Sequence, residues 1–349
     1  MSFDIAIFLF QDGVVNGAIF ALIAIGVVLL FTVSRVVLVS FGDLIAYSAL
    51  TLASIQGHQL PGMVWLVVGL AILAVLMECF DLVRRGFSSR LPRAIAVYGV
   101  LPIIPVICAV WLSSLQLPMI IQIALTIALI LPLGPLMYRV VFQPMANASL
   151  LTTLMAAVAV HFVLSGLALL FFGAEGYRTK PYVTGSFDVG FTDVSRLSVV
   201  ILGSVVCIVG LLYLFFNSTL MGKALRATAV NAVGARIVGI RTRRAGSLSF
   251  LLATGLAALS GVLIGPMVTI YYDTGFMVGL KGFVGAVVGG FVSYPLALAG
   301  ALIIGLIDAF SSFYSSAFKD VIVFASLIPI VIVRYLLAPP KDDEVEDES

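Results

Sequence analysis

Charge is what this chain has least of. Only 10% of its 349 residues are charged, against the roughly 25% of an ordinary soluble domain. Cysteine is also scarce: Cys79, Cys108 and Cys207 lie far apart, in or near apolar runs. That spacing offers neither a disulfide framework nor a metal site, so they read as small buried or lipid-facing side chains. There are two histidines, His58 and His161, and no His-Glu-x-x-His pair. A Walker-type phosphate loop, a nucleophile elbow and a Cys/His cluster are missing as well. We therefore expect no catalytic residue, no cofactor, no metal and no nucleic-acid partner, and a protein that is not an enzyme.

What the chain has is hydrophobic length. Hydrophobic residues make up 62%, in runs of about twenty, the length an α-helix needs to cross the hydrocarbon core. The runs lack the polar stripe of a soluble amphipathic helix and the alternation of a β-barrel strand. The expected fold class is all-α, a polytopic integral membrane protein of about ten transmembrane helices. Spans are placed at 12–33, 37–55, 62–80, 94–113, 118–138, 149–172, 197–216, 247–270, 295–313 and 320–338. A shorter apolar piece falls at 282–294 and could cross or re-enter. Pro61-Gly62, Pro92, Pro118, Pro144, Pro181 and Pro295 punctuate the ends. Met1 to Gln11 lacks a basic n-region and no cleavage pattern follows, so the first helix is expected to remain. The membrane-embedded body is thus expected over 1–338. The 339–349 tail is acidic and expected to be disordered.

Lysine and arginine orient the spans. If the loop at 222–244 is cytoplasmic, alternation puts Arg35, the Arg84/Arg85/Arg90/Arg93 loop and Arg139 on its side. With Lys223, Arg226, Arg236, Arg241, Arg243 and Arg244, that side collects 12 of the 19 basic residues. The loop from Gly173 to Arg196 holds Arg178, Lys180 and Arg196 against Glu175, Asp188 and Asp193. The N-terminus is accordingly expected outside the cell, in a multi-pass plasma (inner) membrane protein.

Polar groups inside spans are costly and few. His161 reads as a hydrogen-bonded packing residue. Asp43, in SFGDLIAYSAL, and Asp308, in GLIDAFSS, either make a helix-to-helix hydrogen bond or line a path, and their sequence context leaves both open. Twelve glycines lie between Gly246 and Gly305, with Gly261-x-x-x-Gly265, Gly275-x-x-x-Gly279 and Gly285-x-x-x-Gly289 spacings. Small residues four apart let helix backbones approach closely. Gly265-Pro266 should break its helix, because proline removes a donor and clashes with the preceding turn.

The segment GKALRATAVNAVGARIVGI, 222–240, is a basic, helix-compatible interruption between two apolar runs. It could rest on anionic headgroups or dock a cytoplasmic partner. With Met221 it resembles the cytoplasmic loop of permease subunits of branched-chain amino-acid ABC importers. Gly222, Lys223, Ala224, Arg226, Ala227, Asn231, Gly239 and Ile240 match that family's pattern. The resemblance extends through Gly275–Phe283, Gly289–Pro295 and Lys319-Asp320, and to Asn16–Phe31 and Met137–Pro144. Val230 departs from the usual Gln or Glu. Leu38-Val-Ser-Phe-Gly-Asp43 lacks the Asn and His of the family's turn. The 82–117 stretch looks like an inserted pair of half or full spans.

The resemblance implies a type II ABC importer-like permease taking up a small polar or amphipathic solute, branched-chain or hydrophobic amino acids first among them. Implied partners are cytoplasmic ABC ATPase subunits, a second permease subunit (homologous or identical), an extracytoplasmic solute-binding protein and membrane lipid. Gly222, Lys223, Arg226, Ala227, Asn231, Gly239 and Ile240 would couple to the ATPases. Gly261, Gly265, Pro266, Gly285 and Gly289 would shape a translocation path, with Asp308 lining it. Two other classes fit the composition: an ion-coupled secondary transporter using Asp43 and Asp308, and a membrane scaffold that moves no solute.

Overall fold

The computed structural model describes residues 3–84, 86, 91–113, 115–146, 148–188 and 193–337. The first helices are α1 (Phe3–Ser34), α2 (Phe41–Gln56) and α3 (Met63–Arg84). A fourth span runs from Leu91 to Leu112, as α4 (Leu91–Ile95), a π turn and α5 (Leu101–Leu112). A fifth comprises α6 (Met119–Ile130), α7 (Leu133–Met137) and a π turn ending at Phe142. Then come α8 (Leu150–Phe172), a hairpin of β1 (Ser186–Asp188) and β2 (Asp193–Ser195), and α9 (Arg196–Ser218). Two short helices, α10 (Leu220–Val230) and α11 (Ala232–Ile237), precede α12 (Thr242–Ile264) and α13 (Thr274–Val288). The chain finishes with α14 (Tyr294–Tyr314), α15 (Lys319–Ala325) and α16 (Leu327–Leu337).

Among the described residues, nine helical stretches are long and apolar enough to cross a membrane. Among its described residues the 82–117 region supplies one further span, Leu91–Leu112. The span placed at 247–270 stops at Ile264, directly before Gly265-Pro266, as the proline predicts. The short piece placed at 282–294 is displaced: its helix is α13, and Tyr294 already belongs to α14. The 339–349 tail and Arg85 and Arg90 lie outside the described residues.

Burial separates a core from a periphery. In α1, 83% of the most apolar window is buried, and in α12 67%, against 17% in α8 and 11% in α9. Aliphatic surface cannot sort these helices, because lipid tails are as apolar as leucine. Close backbone approach at small residues does. A Cβ on Gly17 would sit 2.8 Å from Leu302 Cα of α14, and one on Gly261 would sit 2.3 Å from the Ile45 carbonyl oxygen of α2.

Two units within the core have matching form. In each, a long buried helix (α1 or α12) is followed by a non-helical stretch and then a short helix (α2 or α13). The 15 residues of α13 reach about 22 Å at 1.5 Å per residue, short of the roughly 30 Å hydrocarbon core. The stretch after α1 is largely inside, with Val36, Leu38 and Ser40 buried, whereas in the stretch after α12 Ile270 is buried and Val268 and Tyr271 are exposed. The two short helices start against each other. A Cβ on Gly42 would lie 2.1 Å from the Gly275 carbonyl oxygen, and one on Gly275 2.3 Å from that of Gly42. From this meeting point they diverge. Gln56 at the end of α2 accepts from Lys180 N at 2.8 Å, while Phe291 beyond α13 packs on Phe31 with ring centroids 5.0 Å apart.

Overpacking a tight contact costs about 1–3 kcal/mol. Gly42→Ala is therefore expected to lower the melting temperature of the detergent-purified protein, whereas Gly203→Ala, on an open face of α9, should not. Scanning fluorimetry on both variants tests this, and equal melting temperatures would show that the Gly42–Gly275 approach is not tight.

Candidate functional site

The 220–240 segment folds as a capped helical hairpin. The Thr219 hydroxyl accepts from Gly222 N at 2.9 Å and starts α10. Gly222 is required by contact, since a Cβ there would sit 2.3 Å from the Phe215 carbonyl oxygen. Asn231 ends α10 in an extended conformation, and its Oδ1 accepts from Gly234 N at 2.8 Å, capping α11. At the far end Gly239 adopts φ +88°. Its N–H reaches Arg236 O at 3.0 Å and the Ile240 N–H reaches Ala235 O at 2.9 Å, the paired bonds of a Schellman stop that favours glycine.

The hairpin has two faces. Leu225, Thr228 and Ala235 are buried against the bundle. Lys223, Arg226, Ala227, Asn231 and Gly239 are exposed, and Ile240 is half-buried. Large apolar side chains share the outer side, with Leu220 85%, Val230 81% and Ile237 81% exposed. The outer surface of the hairpin thus interleaves exposed apolar side chains with cations. Arg226 also donates to Asn217 Oδ1 at 2.8 Å, tying the outer face back to α9.

Beside the hairpin lies an ionic network. Glu78 at the end of α3 pairs with Arg139 Nε at 2.6 Å and with Arg243 at the start of α12. Arg139 also meets Asp81 at 2.5 Å. The ends of α3, of the fifth span and of the α10–α12 connection are thereby held at one end of the bundle, which we call the basic end. At the opposite end, residues 177–182 clamp the break after α12. Tyr177 and Ile270 exchange backbone hydrogen bonds. Arg178 donates to Pro266 O at 2.8 Å, and Tyr182 donates to Val262 O. Burial pushes the Tyr182 phenol up, which keeps its proton in place as donor.

The intramembrane polar residues form inter-helix pairs. Asp43 Oδ2 lies 2.8 Å from His161 Nδ1 of α8, and the imidazole stacks on Phe276 of α13 at 4.4 Å between centroids. His161 is thus hydrogen-bonded, as read, but to a partner 118 residues away. Ser40 Oγ and Asp43 Oδ1, both buried, have no hydrogen-bond partner among the described residues. Asp308 pairs with Lys281 Nζ of α13 at 2.6 Å, and Asp320 of α15 meets the same ammonium at 2.9 Å. Both carboxylates thus make inter-helix pairs.

The glycines named for a path occupy packing contacts: Gly261 against α2, Gly265 against Thr179, and Gly285 and Gly289 against Ala301 and Ala297 of α14. Sequence reasoning missed the roles of Glu78, Asp81, Lys281 and Asp320. A signal existed for the first two, since Glu78 and Asp81 stand three apart at the end of an apolar run, where acids need basic partners.

The chain is thus a multi-pass helical membrane protein with two broken helical units and an exposed basic hairpin. Residues 95–331 match the family model described as "Branched-chain amino acid transport system / permease component", and the chain belongs to that family. Among curated relatives, it is 34% identical over 202 residues to the high-affinity branched-chain amino acid transport system permease protein LivH of Escherichia coli K12. That match covers 56% of this chain and 66% of the relative, just under two thirds of its length. The permease protein BraD of Pseudomonas aeruginosa is 27% identical over 230 residues, covering 64% of this chain and 75% of the relative. A probable LivH permease of Methanocaldococcus jannaschii is 28% identical over 238 residues, covering 64% and 72%. No solved structure matches the chain.

Removing one partner of a buried ion pair costs about 3–5 kcal/mol, because a charge is left uncompensated. Lys281→Met should therefore destabilise the protein by that order in detergent unfolding, and adding Asp308→Leu should restore part of the loss. No effect from Lys281→Met would show that the cluster is not ionised as drawn.

Proposed function

We propose that this chain is the permease subunit of an ABC importer for branched-chain or other hydrophobic amino acids. The observation that carries the reading is the exposed face of α10–α11 in a chain of this family. The basic end then faces the cytoplasm and the N-terminus the outside. With an odd number of crossings, counting each broken unit's short helix, the end of α16 returns to the cytoplasm.

Two ATPases dock on Lys223, Arg226, Ala227, Asn231 and the apolar residues between them. A second permease subunit, homologous or identical, completes the path. An extracytoplasmic binding protein delivers solute at the 173–195 end. ATP-driven closure moves the α10–α11 hairpins, and the helices that begin at Gly42 and Gly275 shift in response. Gly261, Gly265, Pro266, Gly285 and Gly289 let those helices approach and separate. Asp308 acts there through its pair with Lys281. The ion-coupled alternative gains no observation in its favour, since Asp43 and Asp308 are each matched with a basic side chain.

Co-purification tests the reading. An ATPase encoded beside this chain should be retained by the wild type, and Arg226→Glu with Val233→Asp should weaken that retention at least about tenfold, the equivalent of 1.4 kcal/mol. ATP-dependent leucine uptake into liposomes holding the whole complex should fall in parallel. Full retention and uptake in the double variant would remove the hairpin from this role. Uptake by the lone chain under an ion gradient would overturn the importer assignment.

A further inference from the structure

At the basic end a cavity of about 820 Å³ opens behind the α10 helix. Its walls come from the end of α1, from α9, from α10 and from the turn between α13 and α14. They are almost wholly apolar, built by residues such as Phe31, Leu212, Phe216, Phe291 and Leu298. Two cations stand among them, Arg35 and Arg226, and no acidic residue lines the cavity. The Arg35 guanidinium lies over the Phe31 ring at 5.8 Å. Arg226 gives one hydrogen bond to Asn217, out of the five donors a guanidinium carries.

Two further observations bear on what fills this space. The cavity runs out onto the exposed side of α9, for Tyr213 lines it and is also 68% exposed. Arg35 (φ 55°) and Phe291 (φ 58°) have left-handed backbones, and both lie in its wall. Such strain persists where surrounding structure holds it, commonly at ligand clamps.

We infer that the cavity binds one anionic phospholipid, its phosphate between Arg35 and Arg226 and an acyl chain along α9. Apolar walls open to the bilayer suit an acyl chain, and basic pockets between transmembrane helices on this kind of face take anionic headgroups. A zwitterionic lipid would leave the two lining guanidiniums without a net counter-charge. The lipid would touch both the fixed core, at Phe291, and the outer hairpin, at Arg226, Ala229 and Val230. Val230, the departure from the family's Gln or Glu, extends the apolar wall. Lipid binding at this site does not depend on the transported solute, so its failure and that of the importer reading are separable.

The test uses the purified full chain, stripped of lipid and titrated with phosphatidylglycerol or phosphatidylcholine of the same acyl chains, read by native mass spectrometry. Wild-type protein should retain one phosphatidylglycerol in preference to phosphatidylcholine. Arg35→Gln should cut that preference about five-fold, the weight of one arginine toward an anionic headgroup. Val209→Trp fills the apolar wall and should reduce retention of both lipids. Arg241→Gln, exposed at the same end but outside the cavity, should match the wild type.

Absence of a preference in the wild type would overturn the inference, as would equal losses in Arg241→Gln and Arg35→Gln. Retention unchanged by Val209→Trp would place the lipid elsewhere. Displacement of the lipid by millimolar leucine would reassign the cavity to the solute, and retention by the monomer but not the dimer would reassign it to a second copy.

Discussion

The structure depends on one contact, the meeting of the α2 and α13 starts at Gly42 and Gly275. Breaking a helix inside a membrane exposes backbone groups where no water can satisfy them, so a break survives only when protein surrounds it. Here the two short helices shelter each other where they start, and residues 177–182 bond the break after α12. α12 and α13 pack on α2, and α1 packs on both α13 and α14. Glycine at the junction lets backbone meet backbone, which leaves no room for lipid or bulk water. The long helices α1 and α12 are the most buried because they form the outer wall of this junction. The Asp43–His161 and Lys281–Asp308–Asp320 pairs then tie α8, α14 and α15 to it.

The hairpin at the basic end follows the opposite logic. It is held by caps and one close glycine rather than by deep burial, and it keeps its large apolar side chains outward. Thr219, Asn231 and Gly239 set where each helix starts or stops, so the outer face has a defined shape without a partner. The Glu78–Arg139–Arg243 network fixes the ground beneath it.

Hydropathy made most spans legible, since crossing a bilayer demands length and apolarity from each helix separately. The stop at Gly265-Pro266 was legible for the same reason, being local. What sequence could not supply was pairing. Asp43 and His161 are 118 residues apart, and Glu78 and Arg243 are 165 apart. No periodicity within one helix encodes such a partner. The α13 helix is displaced from its expected place because it begins at the polar Tyr272-Asp273-Thr274, which reads as a loop. In the folded chain Gly275 of its first turn is buried against Gly42 at the start of α2. The path glycines were recognised as close-packing residues, but the helix each would touch was not readable.

The Asn231 joint has a mechanical consequence. It is the single extended residue between α10 and α11, so the hairpin is two stiff arms sharing one pivot. The first arm is hooked to α9 through Arg226 and Asn217, and the second leads within six residues of Ile237 to Arg243 and thus to α3. The outer face is therefore tied to the bundle at two places, to α9 through the first arm of eleven residues and to the α3–α12 anchorage through the second arm of six.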